Sequence, residues 1–201
     1  MTLQQKSIHV VGIGGTLRDG STSLRALELG LQAAESAGAT TELIDLNVYR
    51  LPMYEPDRPA SEYDETTKAY LDIVARADAM LWSTAAYHGT IAGVTKNALD
   101  YLEHFSGGPN PYLSNIVVGL IVTSGGAQAM MNTVNAMVHT VHALRGIVTP
   151  LSVPIPGAKK LFDANGSLSD AEIADRLNKL GALVVETATR LRTPVPDVTG
   201  L

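Results

Sequence analysis

The chain has 201 residues, 45% of them hydrophobic and 17% charged, which fits one medium-sized domain over residues 1–201 with a well-buried core. Its 15 Lys and Arg against 20 Asp and Glu give a formal net charge of -5 without a basic block, so we expect neither nucleic acid nor a membrane as partner. The absence of cysteine excludes disulfides, thiolate nucleophiles and iron–sulfur ligation.

Strand and helix patterns alternate along the whole chain. Short β-branched runs predict five strands, at 7–13, 41–46, 79–84, 116–122 and 148–153. Apolar residues at helical spacing predict helices at about 22–38, 63–77, 94–102, 127–144 and 169–191, the last with a capping box at Ser169 and Glu172. This alternation indicates βαβ units around a parallel sheet.

The two ends of the chain carry little regular pattern. The N-terminal apolar run stops at glycines and is too short for a signal peptide, and no stretch has the apolar length of a membrane span. We therefore expect a cytoplasmic protein. Residues 193–201 contain two prolines and are expected to form a loose or partner-docked tail.

The loop after the first strand has the composition of a phosphate-binding site. A terminal phosphate needs N–H donors, hydroxyls and a compensating charge, which the amides of the following helix and Arg18 begin to supply. The hydroxyls come from Thr16, Ser21, Thr22 and Ser23. A dinucleotide fingerprint is excluded because Leu17 stands where it requires glycine, and no Gly-Lys-Ser/Thr triplet exists for a P-loop. The alternative is a Ser/Thr-rich helix cap beside a surface arginine.

Two further loops should lie beside the first, because ligands of an open parallel sheet bind beyond the carboxyl ends of its strands. The loop after the third strand offers small residues for close backbone approach and the Tyr87 ring for a planar ligand. The loop after the fourth strand offers bare N–H groups. The candidate residues are Ala86, Tyr87, His88, Gly89, Thr90, Ser124, Gly125 and Gly126. For His88 the alternative is an exposed turn residue.

Together these loops resemble the NADPH-dependent FMN reductase family, a branch of the flavodoxin-like fold. Residues 15–21 are similar to its Gly-Ser-x-Arg-x-x-Ser phosphate motif, with Thr16 in place of serine. Residues 96–100 match its Lys-Asn-Ala-Leu-Asp segment, and Asp-Leu and Leu-Pro pairs follow the second strand as in the family. The chain departs from the Pro-x-Tyr-Asn-Gly-Ser loop at Ala85, His88 and Thr90. The resemblance covers roughly residues 7–153.

The resemblance implies an α/β flavodoxin-like three-layer sandwich with a five-stranded parallel sheet in the order 2-1-3-4-5. It implies FMN as cofactor and NADPH or NADH as electron donor, with hydride passing to the flavin and electrons onward to free flavin, a quinone or a similar acceptor. The flavin phosphate would lie at Thr16, Arg18, Ser21 and Ser23, the ribityl chain and ring edge at 87–89, and the far edge at 124–126. No catalytic acid or base is assigned.

Two other functions are compatible with a flavin site. A flavodoxin-type electron carrier would be markedly acidic with aromatic rings stacked on the flavin, whereas this chain is mildly acidic and has its one tryptophan, Trp82, inside a predicted strand. A flavin-binding regulatory module would bind the cofactor without sustained turnover.

The helix at 127–144 mixes methionines and amides over much of its surface, as association faces often do. This favours a homodimer or homotetramer, and the alternative is a helix buried within the monomer. His139 and His142 are three residues apart on the same helix, but no carboxylate ligand is adjacent, so we predict no metal site.

Overall fold

A sheet of five parallel strands and one short antiparallel strand lies at the centre of the computed structural model, which describes residues 7–163 and 165–192. The strands are β1 (His9–Gly14), β2 (Thr40–Asp45), β3 (Ala79–Tyr87), β4 (Thr90–Ile91), β5 (Val117–Ser124) and β6 (Ile147–Pro156). Their order is β2-β1-β3-β5-β6, with β4 paired only to β3. The predicted flavodoxin-like order is therefore confirmed, and β4 is an addition that the sequence pattern did not reveal.

Helices cover both faces of this sheet. They are α1 (Thr22–Ser36), α2 (Leu46–Tyr49), α3 (Glu65–Ala75), α4 (Gly93–Asp100), α5 (Ala127–Ala143), α6 (Ala158–Leu161) and α7 (Ala171–Arg192). Short 3-10 turns occur at Ala60–Glu62 and Tyr101–Phe105. The four-residue helices α2 and α6 were not predicted, because a single turn shows no apolar periodicity.

Alternate residues of each strand point into two separate cores. On β1, Val10 packs with α1 and α7, whereas Val11 and Ile13 pack with α3, α4 and α5. On β3, Leu81 belongs to the first core and Trp82 to the second. The result is three layers, and the strands read as almost continuous apolar runs because both of their faces are covered.

One amide side chain of α4 anchors the proline-rich segment after β2. Asn97 accepts a hydrogen bond from the Tyr54 N–H at 2.9 Å and donates to the Leu51 and Pro52 carbonyls at 3.3 and 2.8 Å. The Tyr101 hydroxyl donates to the Pro52 carbonyl at 3.0 Å, and burial raises the pKa of this phenol, so it remains a donor at neutral pH. The segment is therefore held in place although it has little regular structure.

The last helix begins at Ala171 and is capped by the residue before it. The Asp170 carboxylate accepts hydrogen bonds from the Glu172 and Ile173 N–H groups, each at 3.0 Å. The predicted capping role of Ser169 is wrong, because its hydroxyl donates to the Leu161 carbonyl at 3.1 Å. The predicted tail at 193–201 lies outside the described residues. Within the described ranges, no helix is both long and apolar enough to cross a bilayer.

The two helices on one face touch through a glycine. A Cβ atom added at Gly181 of α7 would lie 2.5 Å from the Gly30 carbonyl oxygen and 2.6 Å from the Ala33 Cβ, both on α1. Such distances are far below van der Waals contact, so any side chain at position 181 would push α7 away from α1. The absence of a side chain therefore sets the distance between these helices.

We predict that Gly181→Ala lowers the free energy of unfolding by about 1–3 kcal/mol, because overpacking outweighs the better helix propensity of alanine. Urea unfolding followed by circular dichroism measures the change. The control is Asn178→Ala, an exposed position on the same helix, which should be neutral or slightly stabilising. A Gly181→Ala protein as stable as the parent would contradict the close packing described.

Candidate functional site

A cavity of about 580 Å³ lies at the carboxyl edge of the sheet, a size typical of small-molecule sites. The loops after β1, β3, β5 and β6 line it, because parallel strands bring these loops to one edge. Three of the four loops are those that the sequence predicted. The fourth, which includes α6, was not considered.

The N-terminus of α1 lies against this cavity without a protein cap. Ser21 occupies the capping position, but its side chain makes no hydrogen bond to the helix amides, and the first turn contains no acidic residue. Its hydroxyl lies instead 2.9 Å from the Ser23 hydroxyl, and both side chains are buried. The positive end of the helix is therefore available to an anion.

The helix α3, which starts away from the cavity, is capped differently. Asp64 accepts a hydrogen bond from the Thr67 N–H at 2.7 Å at the start of α3, and this bond holds the pKa of its carboxyl below the usual range. Glu65 in the first turn of α3 adds a second negative charge near that helix end. These caps neutralise the helix dipole within the protein, which α1 does not do.

The loop between β1 and α1 is held by contacts to its neighbours. The Ser83 hydroxyl of β3 donates to the Ser23 carbonyl at 2.7 Å, which fixes the first turn of α1 against the sheet. Asp19 accepts a hydrogen bond from the Asn47 side chain of α2 at 2.9 Å. Arg18 is exposed and makes no hydrogen bond or ion pair with another described residue, although it lines the cavity.

A tight hairpin turn follows β3. His88 and Gly89 have φ values of 52° and 86°, and Tyr87 pairs with Thr90 across the turn. Two consecutive positive φ values in a two-residue hairpin define a type I′ turn, which favours Asn-Gly. Tyr87 lines the cavity with 46% of its surface exposed, whereas the two turn residues project beyond it.

The loop after β5 presents backbone to the cavity. The Ser124 hydroxyl donates to the Gly126 carbonyl at 2.7 Å, so its oxygen can only accept from a ligand. Gly125 lines the cavity, and a Cβ atom added there would meet nothing within 4 Å. The loop is therefore open to a ligand without being shaped by close protein contacts.

Nine of the 13 predicted site residues line this one cavity. They are Thr16, Arg18, Ser21, Thr22, Ser23, Ala86, Tyr87, Ser124 and Gly125. The other four, which are neighbours of the lining in the chain, are His88, Gly89, Thr90 and Gly126. The structure thus brings the three predicted loops together, while the ligand contacts of all 13 residues remain predictions.

The loop after β6 adds residues that sequence reasoning missed. Gly157, Lys159, Lys160 and Asp163 line the cavity, as does Arg25 of α1. The signal was present, because two adjacent lysines follow the fifth predicted strand at the ligand-binding edge of the sheet.

Positive charge dominates the lining of the cavity. Of the residues above, Arg18, Arg25, Lys159 and Lys160 are cationic, and Asp163 is the one carboxylate among the described lining residues. The Asp163 carboxylate already accepts hydrogen bonds from two backbone N–H groups of the same loop, each at 2.8 Å. An anionic ligand therefore meets unbalanced positive charge here, although the chain as a whole is negative.

The two histidines of α5 lie elsewhere. His139 and His142 are both exposed, and neither lines the cavity. Across residues 7–163 and 165–192, no three His, Asp or Glu side chains gather in a way that could hold a metal ion.

Comparison with known proteins gives a consistent family. A family model described as NADPH-dependent FMN reductase matches residues 8–160. An NAD(P)H-dependent FMN reductase of Pseudomonas aeruginosa is 31% identical over 172 residues, which are 81% of this chain and 85% of that protein. A quinone reductase of Pseudomonas putida is 28% identical over 148 residues, which are 68% and 73% of the two chains.

Solved structures share the fold. The apo form of an NADH:FMN oxidoreductase superposes with a TM-score of 0.71 at 17% identity, over 94% of this chain and 92% of that one. At this identity the likeness concerns the fold alone.

We predict that His88→Val lowers the free energy of unfolding by about 1–2 kcal/mol, because a β-branched residue is strained at positive φ. His88→Asn is the matched control and should keep or raise stability, since Asn-Gly is preferred in this turn. Urea unfolding of both variants measures the difference. Equal losses in the two variants would contradict the turn geometry.

Proposed function

We propose roles for the side chains of the cavity from one premise: this chain belongs to the NADPH-dependent FMN reductase family. The resemblance predicted from the sequence is thereby confirmed, and with it an NAD(P)H-dependent flavin oxidoreductase. What is proposed below is which residues hold FMN, what the protein contributes to the reaction and how the chains assemble.

The observation that carries the proposal is the uncapped N-terminus of α1 at the cavity. We infer that it receives the FMN phosphate, because the first-turn amides, the hydroxyls of Thr16, Ser21, Thr22 and Ser23, and the Arg18 guanidinium form one set of donors. Within this set the Ser21 and Ser23 hydroxyls share one hydrogen bond, which leaves the other donors for a ligand. A phosphate monoester carries close to two negative charges at neutral pH and accepts hydrogen bonds through three oxygens. The donor set matches it in charge and in hydrogen-bonding character.

The remaining loops would hold the ribityl chain and the ring system. Tyr87 offers a half-exposed aromatic face, and Ala86 leaves room beside it for a planar ligand. The backbone around Ser124 and Gly125 offers N–H groups to a carbonyl edge from the other side. In this arrangement His88, Gly89, Thr90 and Gly126 contribute through their backbone and turn geometry.

When bound, FMN supplies the redox chemistry, taking a hydride from a reduced nicotinamide and returning electrons to an acceptor. The side chains described here would hold the flavin and orient it, and none of them is placed to move a proton. No histidine lines the cavity among the described residues, and the Asp163 carboxylate is occupied by its own loop. The protein would therefore contribute by positioning the reactants and by supplying a positive electrostatic potential in the cavity.

The acceptor is proposed to be a small molecule such as free flavin or a quinone, in line with the relatives named above. A flavodoxin-type carrier would present an acidic rim to a protein partner, whereas this rim carries Arg18, Lys159 and Lys160. Steady NADPH oxidation with a quinone distinguishes a reductase from a carrier and from a regulatory module.

We also propose a homodimer or homotetramer, a cytoplasmic location and one domain over residues 1–201. Support for association comes from α5, whose outer face exposes Met131 at 52% together with Asn132, Asn135, His139 and His142. The predicted surface is met only in part, because Met131 lies on this face whereas Met130 and Met137 are buried in the core. The residues named on this face include no Lys, Arg, Asp or Glu.

We predict that Arg18→Ala weakens FMN binding by about 1.5–3 kcal/mol, the loss of a charge-assisted hydrogen bond, or roughly 10- to 150-fold in Kd. Quenching of flavin fluorescence in a titration measures the affinity. Arg190→Ala, which removes an exposed arginine of α7 paired with Glu186, is the control and should leave it unchanged. Unaltered affinity in the Arg18 variant would refute the phosphate assignment.

We predict a solution mass of two or four chains by light scattering at micromolar concentration. A charge placed on the outer face of α5, as in Met131→Glu, should reduce that mass because a carboxylate is costly to bury in an interface. Gln32→Glu, an exposed position on α1, is the control. A monomer in the parent protein would rule out the proposed association.

A further inference from the structure

Two lysines of the cavity are not used by the proposed flavin site. Lys159 and Lys160 lie on α6, directly after β6, and both are exposed while lining the cavity. Neither ammonium group makes a hydrogen bond or ion pair with another described residue. They bring two unpaired positive charges to the edge of a chain whose net charge is -5.

The other charges of the lining are already committed. Arg25 donates to the Asp163 carbonyl at 3.0 Å and so closes the loop after α6 onto α1. Arg18 and the end of α1 are assigned to the flavin phosphate under the proposed function. Among the described lining residues the Asp163 carboxylate, whose Oδ1 accepts two backbone N–H groups, is the single negative charge against four cations.

The strand order separates the lysines from the phosphate loop. Along the sheet the order is β1, β3, β5, β6, so the loop after β6 lies beyond the two loops proposed to hold the ring. With neighbouring strands roughly 4.8 Å apart, the ends of β1 and β6 are about 14 Å from each other. The lysines therefore follow the far strand of the row, although the loop after α6 returns to α1 at Arg25, and they line the same cavity as the phosphate loop.

We propose that Lys159 and Lys160 bind a phosphate group of the incoming nicotinamide dinucleotide and so anchor the electron donor over the ring. The inference rests on the proposed function, in which NADPH or NADH is the second phosphate-bearing ligand of the cavity. The group recognised is either the pyrophosphate, present in both donors, or the 2′-phosphate, present only in NADPH. A lysine pair binds either one as a concentration of positive charge.

The test compares Lys159→Ala/Lys160→Ala with Lys68→Ala/Lys179→Ala, which changes the net charge equally at two ion-paired positions outside the cavity lining. KM and kcat for NADPH and NADH are measured at saturating FMN. Binding of adenosine 2′,5′-bisphosphate and of ADP is measured by calorimetry at saturating FMN, so that the site at α1 is occupied. We expect the α6 variant to raise KM roughly 10- to 100-fold with kcat and FMN affinity unchanged, and the control to match the parent.

The two fragments identify the phosphate. A rise in KM for NADPH alone, with weaker binding of the 2′,5′-bisphosphate, supports recognition of the 2′-phosphate. Equal rises for both donors, with weaker ADP binding, support recognition of the pyrophosphate. Lys159→Arg/Lys160→Arg, which keeps both charges, should restore most of the parent KM.

Two results would overturn the inference. One is an unchanged KM for both donors in the α6 variant; the other is weakened FMN binding with KM unaltered, which assigns the lysines to the flavin phosphate. Failure of the proposed function is recognised separately, because the parent protein would then bind no FMN. The calorimetric comparison of parent and variant still tests the lysines in that case.

Discussion

The position of the first helix depends on close packing that only glycines allow. A Cβ atom at Gly12 would lie 2.7 Å from a Leu31 methyl group, and one at Gly14 would lie 3.0 Å from a Leu27 methyl group, both on α1. Gly181 allows the same close approach between α1 and α7. Because α1 is pressed against β1, β3 and α7 in this way, its N-terminus lies at the carboxyl edge of the sheet. The cavity and its positive end follow from that placement.

With α1 in this position, few further features are needed to bind an anion. The first turn of α1 has no acidic residue and no side-chain cap, whereas α3 and α7 are capped by Asp64 and Asp170. The unpaired N–H groups of an uncapped helix end carry a free energy cost, which a bound phosphate offsets. The charges around the cavity also favour an anion, because among the described lining residues the cations outnumber the single carboxylate, that of Asp163.

Much of this could be predicted from the sequence. The alternation of apolar runs predicted the parallel sheet with its helices, and the family resemblance supplied the strand order. The loop at 14–23, proposed to bind phosphate from its composition, does line the cavity. The two-residue strand β4 and the one-turn helices α2 and α6 are too short to produce a periodic signal. The lysines of α6 were missed because only three of the strand-end loops were considered, although the topology places a fourth at the same edge.

The structure also gives physical reasons for the residues found in the family motifs. In the segment 96–100, Lys96 pairs with Asp100 at the surface while Asn97 anchors the proline-rich loop, so this motif preserves the fold and not the chemistry. The departure from the family pattern at His88 falls in a type I′ turn, where asparagine and histidine both tolerate positive φ. This difference therefore changes the turn rather than the lining of the cavity.

The central claim is that this cavity holds FMN and delivers to it the electrons of a reduced nicotinamide. It is tested most directly by the visible absorbance of the protein, incubated with FMN, desalted and then mixed with NADPH without oxygen. We expect the protein to retain the flavin absorbance band after desalting, and we expect this band to bleach promptly when NADPH is added. A retained band that does not bleach with NADPH or NADH, or the absence of saturable FMN binding in a titration, would contradict it.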